Sequence, residues 1–189
     1  MQVSKTSLPG VVLVDMDVFP DERGYFFESY HFERYAAAGI ASAFVQDNVS
    51  FSKKGVLRGL HLQHPHAQIK LISVLEGEIF DVAVDVRVGS PHFGQWTSTL
   101  LTADNHQQLL VPEGYAHGFY VLSATALVTY KVSERHEPVS ALAVAWNDPD
   151  IGITWPAGEP TLSAKDAAAP LLRDIPPDRL PRYQGQTTS

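Results

Sequence analysis

The stretch GVLRGLHLQHPHAQIK, residues 55–70, sets His61, His64 and His66 within six positions and follows them with Lys70. Imidazoles this close suggest a metal centre, because a neutral ring nitrogen is a good ligand for zinc and its neighbours. The lysine argues the other way, since an ammonium beside a divalent cation raises the electrostatic cost of binding it. The same residue types suit acid–base chemistry, as imidazole titrates near neutrality. A structural role is open as well. His64 and His66 flank Pro65 and read as a solvated turn, while His61 falls in a strand among apolar neighbours. There its ring must find a partner, as any satisfied core histidine does.

The elements that position these residues read as strands. Short apolar runs separated by Gly, Pro, Asn and Asp predict strands at Val11–Phe19, Tyr25–Tyr30, Phe44–Phe51, Val56–Gln63, Gln68–Leu75 and Glu78–Val88. Further strands follow at Trp96–Leu101, Gln107–Val111, His117–Leu122, Ala126–Val132 and Leu142–Trp146. Such a set points to an all-β sandwich or barrel. His31–Ala38, ended by Gly39, is the one clear helix. In GEIFDVAVDVRV, Phe80, Val82, Val84 and Val86 share one face and Asp81, Ala83, Asp85 and Arg87 the other. In TALVTYKV, Ala126, Val128, Tyr130 and Val132 form the apolar face, so Tyr130 points into the sheet interior. After Trp146 the chain turns rich in Pro and Asp. Residues 147–189 are expected as a tail wrapping a single domain of residues 1–189, with a short helix near Ala167–Leu172.

Composition narrows the partners. The 189 residues suffice for one domain with a sizeable core, and 44% hydrophobic with 19% charged residues is an ordinary globular balance. The absence of cysteine excludes disulfides and thiolate chemistry and fits a cytoplasmic location. The N-terminus, whose apolar run is broken by Asp15 and Asp17, reads as neither a signal peptide nor a membrane span. A net charge of −7, with no basic run beyond Lys53–Lys54, speaks against a nucleic-acid partner. A small anionic ligand needs only a few local cations.

The metal question can be sharpened, because the chain looks like a cupin-type double-stranded β-helix, a jelly roll with a few short helices. Metal-binding cupins join an H-x-H pair, a glutamate shortly after it and a distal histidine in P-x-G-x-x-H. His64-Pro65-His66 and Pro112-Glu113-Gly114-Tyr115-Ala116-His117 supply the two histidine segments. Where the carboxylate belongs the chain has Gln68, Ile69 and Lys70, and the first acid is Glu76. Three neutral imidazoles can still bind zinc, so a metal-dependent cupin enzyme using His61 or His64 with His66 and His117 stays open as an alternative.

A wider set of motifs bears on the choice. DERGYFFES, VQDNVSFSKKGVLRGLH, QIKLISVLEGEIFDVAVDVRVGSPHFGQW, PEGYAHGFYVLS, YKV, WNDPDIGITWP and LSAKDAAAP occur in this order from about Leu13 to Pro170. Together they closely resemble the dTDP-4-dehydrorhamnose 3,5-epimerase family. The resemblance implies an epimerase that uses neither metal nor cofactor, acting on a dTDP-4-keto-6-deoxyhexose in a jelly-roll homodimer. It implies His61 as base, Asp166 as its carboxylate partner, Tyr130 as the acid on the opposite face and Lys70 as the cation near the C4 oxygen. Arg58 and His117 match residues near the sugar and diphosphate, while Gln46, Asn48 and Lys165 match thymidine-side contacts. Arg23, Phe26 and Glu28 match a segment that reaches the site from the partner subunit. By residue type alone, Asp166 and Lys165 would be a solvated charged loop, and Phe26 core packing.

Two departures and one geometric tension remain. Many family members carry a tyrosine about six residues beyond the catalytic one, where this chain reads YKVSERHEP with Arg135 and His136. Leu62 stands where an aromatic residue often follows the catalytic histidine. A single-position epimerase, inverting only C3 or only C5, is therefore an alternative to double epimerisation, and a nucleotide-sugar binding protein without turnover is another. Arg58 and His61 lie three residues apart, which in a regular strand sends them to opposite faces. If both reach one site, Gly59 must mark a bulge or a sharp bend.

Overall fold

The computed structural model describes residues 1–185; the last four residues of the expected tail lie outside the described residues. Strands dominate, as the spacing of apolar runs and turn residues requires. In chain order they are β1 (Gln2–Lys5), β2 (Val12–Asp15), β3 (Val18–Asp21), β4 (Gly24–Phe27), β5 (Gln46–Lys53), β6 (Leu57–Gln63) and β7 (Lys70–Glu76). The rest are β8 (Glu78–Asp85), β9 (Trp96–Thr102), β10 (Gln107–Val111), β11 (Tyr115–Val121), β12 (Thr125–Val132) and β13 (Ala141–Ala143). Helices α1 (Phe32–Ala37) and α2 (Ala164–Ala167) are short.

The strands form a six-stranded sheet in the order β1-β2-β10-β7-β12-β5 and a five-stranded sheet in the order β13-β6-β11-β8-β9. Pairing within both is antiparallel, and β3 and β4 form a separate hairpin. This is the all-β, cupin-like architecture expected. Ile72, Val74, Leu109, Val111 and Val128 from one sheet meet Ile79, Ala83, Leu101, Phe119 and Val121 from the other in a shared core. Face-to-face burial of this kind contributes about 25 cal/mol per Å² of apolar surface.

Both outer faces are covered too. Helix α1 lays Tyr35 against Val14, Leu71 and Leu110 of the six-stranded sheet, and the Tyr35 hydroxyl donates to Gln108 Oε1 at 2.6 Å. On the five-stranded sheet, Leu172, Ile175 and Leu180 of the C-terminal segment cover Val82, Val84, Leu60 and Leu62. The alternation in β8 thus runs with its valines outward beneath the tail and with Asp81 and Ala83 inward. No helix among the described residues is long and apolar enough to cross a membrane.

Several boundaries differ from the sequence reading. The run Val11–Phe19 breaks at Met16–Asp17 into β2 and β3, because β3 leaves the sheet to pair with β4. The strand expected over Leu142–Trp146 is only β13, and β1 lies outside the predicted set. The helix near Ala167–Leu172 sits earlier, as α2. Ser163 caps it by accepting from the Asp166 amide at 3.1 Å, and Pro170 prevents its extension. A separate 3₁₀ turn follows at Leu172–Asp174.

Candidate active site

The inward faces of β5, β6, β7, β11 and β12 and the loop into α2 enclose a cleft of about 820 Å³. His61 enters it from β6. Its Nε2 lies 2.6 Å from Asp166 Oδ1, although 105 residues separate the two in the chain. Asp166 is brought there by the Ser163 cap, which turns α2 so that the carboxylate is buried at 4% exposure. Burial pulls the His61 ring below the ordinary histidine value of 6.5, reinforced by Lys70 and Lys165 and opposed by Asp166. The ring is therefore neutral at pH 7, with Nδ1 opposite its carboxylate, as a base must be.

Lys70 opens β7 and reaches across the barrel, where Nζ donates to the His61 carbonyl oxygen at 3.0 Å. Desolvation lowers its ammonium to about 8, and the charge of Asp81 opposes the fall. It remains mostly cationic at neutrality. Tyr130 projects inward from β12 as its alternation predicts, and its phenol is raised by burial, with Arg58 acting in the other direction. His117 forms part of the floor beside His61, its register partner on β11. Its Nε2 is held by both oxygens of Asp81 at 2.9 and 3.0 Å.

Gly59 resolves the tension between Arg58 and His61. His61 pairs with His117 and Arg58 with Phe119, so three residue steps on β6 span two on β11, and the register shifts between them. The extra residue is a bulge that turns an odd offset into an even one, and both side chains face the cleft. Gly59 sits at φ +140°, and a Cβ there would lie 2.5 Å from Gly118 Cα. Only glycine meets both conditions. Arg58 Nε donates to Ser52 Oγ at 3.0 Å, aiming the guanidinium along the cleft wall.

Gln46, Asn48 and Lys165 also line the cleft, and the Gln46 amide donates to Asn48 Oδ1 at 2.8 Å. Arg23, Phe26 and Glu28 do not line it. They belong to the β3–β4 hairpin and its exit, where Arg23 pairs with Asp21, Glu28 with Arg34 at 3.2 Å, and Phe26 is 69% exposed. His64 and His66 lie in the bend after β6 and do not line the cleft. Among the described residues no three His, Asp or Glu side chains converge as a metal-ligand set.

Several neighbours carried no assignment from sequence. Asp81 is one, since alternation placed it on a face with Asp85 and Arg87 and gave it no further role. A second group consists of Gln63 and Gln68, which, with the already assigned Gln46, hold the loop bearing His136. Gln68 Nε2 donates to the Glu134 carbonyl at 2.7 Å and Gln63 Nε2 to that of Arg135 at 3.0 Å. Gln46 Oε1 accepts from the His136 amide at 3.3 Å, and Gln63 Oε1 from that of Glu137 at 2.9 Å. Both departures, His136 and Leu62, border the cleft.

With this geometry established, comparison with known proteins decides the family. Residues 5–174 match the family model described as dTDP-4-dehydrorhamnose 3,5-epimerase. The chain belongs to the dTDP-4-dehydrorhamnose 3,5-epimerase family. It is 53% identical over 175 residues to the dTDP-4-dehydrorhamnose 3,5-epimerase of Salmonella typhimurium, covering 91% of this chain and 96% of that one. Among solved epimerases of this family, the dTDP-6-deoxy-D-glucose-3,5-epimerase of Legionella pneumophila, in complex with dTDP-4-keto-L-rhamnose, superposes with a TM-score of 0.95. It is 48% identical and covers 97% of this chain and 99% of that chain. The Bacillus anthracis dTDP-4-dehydrorhamnose 3,5-epimerase, with TDP and PPi bound, gives a TM-score of 0.88 at 46% identity, covering 90% and 98%. As a member of the epimerase family, the protein is an isomerase.

Proposed function

We propose that this epimerase acts on a dTDP-4-keto-6-deoxyhexose at C3 and C5 through an enolate, with His61 as the base. The observation that carries the reading is the His61–Asp166 pair at 2.6 Å facing the same cleft as the buried Lys70. Both C3 and C5 adjoin the C4 carbonyl, so loss of either proton delocalises the electron pair onto the C4 oxygen. His61 takes the proton, and Asp166 fixes the ring and stabilises the imidazolium. The Lys70 ammonium stabilises the oxyanion in a water-poor setting, where such an interaction is strong. Tyr130 returns a proton to the carbon from the other face. Burial keeps its phenol protonated until that step, and solvent then resets both groups. No redox change occurs, so the chemistry calls for no redox cofactor.

Arg58 and Lys165 give the cleft the local positive charge that a diphosphate requires, and a guanidinium suits bidentate contact. Gln46 and Asn48 offer neutral amides for the base. His117 takes part as floor rather than as a free ligand, since Asp81 occupies its Nε2. A homodimer is part of the proposal. The β3–β4 hairpin exposes Phe19, Tyr25 and Phe26, and the edge strand β5 exposes Val49 and Phe51, an apolar surface suited to a second copy. In that assembly Arg23, Phe26 and Glu28 complete the partner's cleft. A cytoplasmic location accords with the absence of cysteine.

Incubation with dTDP-4-keto-6-deoxyglucose in deuterium oxide tests the function. Solvent deuterium is expected at both C3 and C5. Label at one carbon alone would make this a single-position epimerase and direct attention to His136 and Leu62. No label with folded protein would remove the assignment.

A further inference from the structure

We propose that Gln63 and Gln68 are positioning residues for substrate binding: their side-chain amides clamp the backbone of residues 134–137 and so hold His136 fixed at the rim of the cleft. The inference rests on the reading of the cleft as a nucleotide-sugar site and adds to it the device that holds its rim.

Residues 134–137 follow β12, the strand of Tyr130, and belong to no strand or helix. Their backbone groups therefore have no ladder to enter and must be satisfied in another way. Glutamine suits this task, because one side chain offers both donor and acceptor. Gln63 donates to the Arg135 carbonyl at 3.0 Å and accepts from the Glu137 amide at 2.9 Å, so it brackets His136 as a neighbouring strand would. Gln46 Oε1 accepts from the His136 amide itself at 3.3 Å, and Gln68 donates to the Glu134 carbonyl at 2.7 Å. A second N–H of Gln63 goes to the His66 carbonyl, which ties the bend after β6 into the same cluster. The Gln63 amide is thus engaged at its oxygen and at both hydrogens, and the residue is buried at 5% exposure. It borders the cleft but retains no donor for a ligand, so its part is to hold rather than to touch. The His136 ring differs, for it lines the cleft and makes no hydrogen bond among the described residues. Gln63 lies two residues beyond His61 on β6, so the strand that carries the base also carries the rim. An irregular loop without such contacts would be ordered only by the ligand, at a cost to affinity, and the clamp supplies that order beforehand.

The test combines the Kd for dTDP by calorimetry, deuterium wash-in kinetics, and amide hydrogen exchange of residues 134–137 for wild type, Gln63→Leu and Gln68→Leu. Both substitutions are neutral and leave the charge of the cleft unchanged. Gln63→Leu is expected to raise Kd and the KM of wash-in together by about 3–30-fold, with kcat within about twofold of wild type. Exchange at 134–137 quickens in this variant, and saturating dTDP slows it again. Gln68→Leu, which releases one contact, shows the same pattern at smaller size and supplies the reading if Gln63→Leu does not fold. In a His136→Ala background, Gln63→Leu should add less than about twofold to Kd, the signature of action through His136. An unmoved Kd in a variant whose loop exchanges faster, a kcat that falls at constant KM, or an undiminished effect without His136 would overturn the proposal. Wild-type protein that binds no dTDP removes the reading of the cleft itself, whereas wild-type binding with unchanged variants removes only the clamp.

Discussion

The proposed mechanism requires His61 neutral and Lys70 charged at the same time, and their environments set the window in which both hold. The ring is depressed below 6.5 by burial, so kcat/KM rises as pH increases through that lowered value and the proton is lost. Lys70 titrates at about 8, so the rate falls as pH climbs through it. A bell-shaped profile with its top near neutrality is expected, and a profile still rising at pH 9 would contradict it. Asp166→Ala leaves the base unoriented and should lower kcat by about 10²–10⁴-fold with little change in dTDP affinity, measured by calorimetry. Equal losses in both would mean that the carboxylate merely holds the cleft together. The inward direction of Tyr130 was legible from its place on the apolar face of its strand, and His61 stood out as an imidazole among apolar neighbours, but the role of each was implied only by the family resemblance. Asp81 fits the alternation of β8, on the face it shares with Asp85 and Arg87, and alternation alone does not say that this face looks inward.

At the scale of elements, the bulge in β6 is what brings Arg58 and His61 into one cleft. Gly59→Ala pushes a methyl into the Gly118 backbone and imposes a positive φ on alanine. A loss of roughly 2–4 kcal/mol in chemical denaturation is expected, with activity falling further than stability explains. Wild-type stability and activity in that variant would show that the strand accommodates a side chain there. The need for a bulge was readable from two residues three apart that claimed the same site, although its register was not. Strand positions were legible because turn residues punctuate every apolar run. The break in Val11–Phe19 was hidden, because β3 keeps apolar residues while leaving the sheet, a tertiary choice that local pattern does not encode. The glutamine clamp on residues 134–137 was equally silent, since amide side chains carry no periodic signal.

On the scale of the whole molecule, the outer face of the five-stranded sheet is buried beneath the C-terminal segment, and this explains why the polar side of β8 lies inside. The tail supplies the outer cover, through Leu172, Ile175 and Leu180, leaving the interior free to hold ionisable groups. Apart from the packing of Tyr25 and Phe27 on His106, the β3–β4 hairpin has no such cover among the described residues, and the proposed dimer predicts what becomes of it. Mixing inactive His61→Ala with weak Phe26→Ala subunits should regain activity, because half of the sites in the mixed dimer carry neither change. Recovery should approach about one quarter of wild type at equal mixing by simple subunit statistics. No recovery after verified subunit exchange would mean that each cleft is complete within its own chain.

The hydrogen bond from Lys70 Nζ to the main chain of His61 has a mechanical consequence. It is a strut between the two sheets, anchored at one end on the oxyanion cation and at the other on the backbone of the base. The spacing between the proposed proton acceptor and the proposed charge stabiliser is thus set by this hydrogen bond as well as by the strands that carry them.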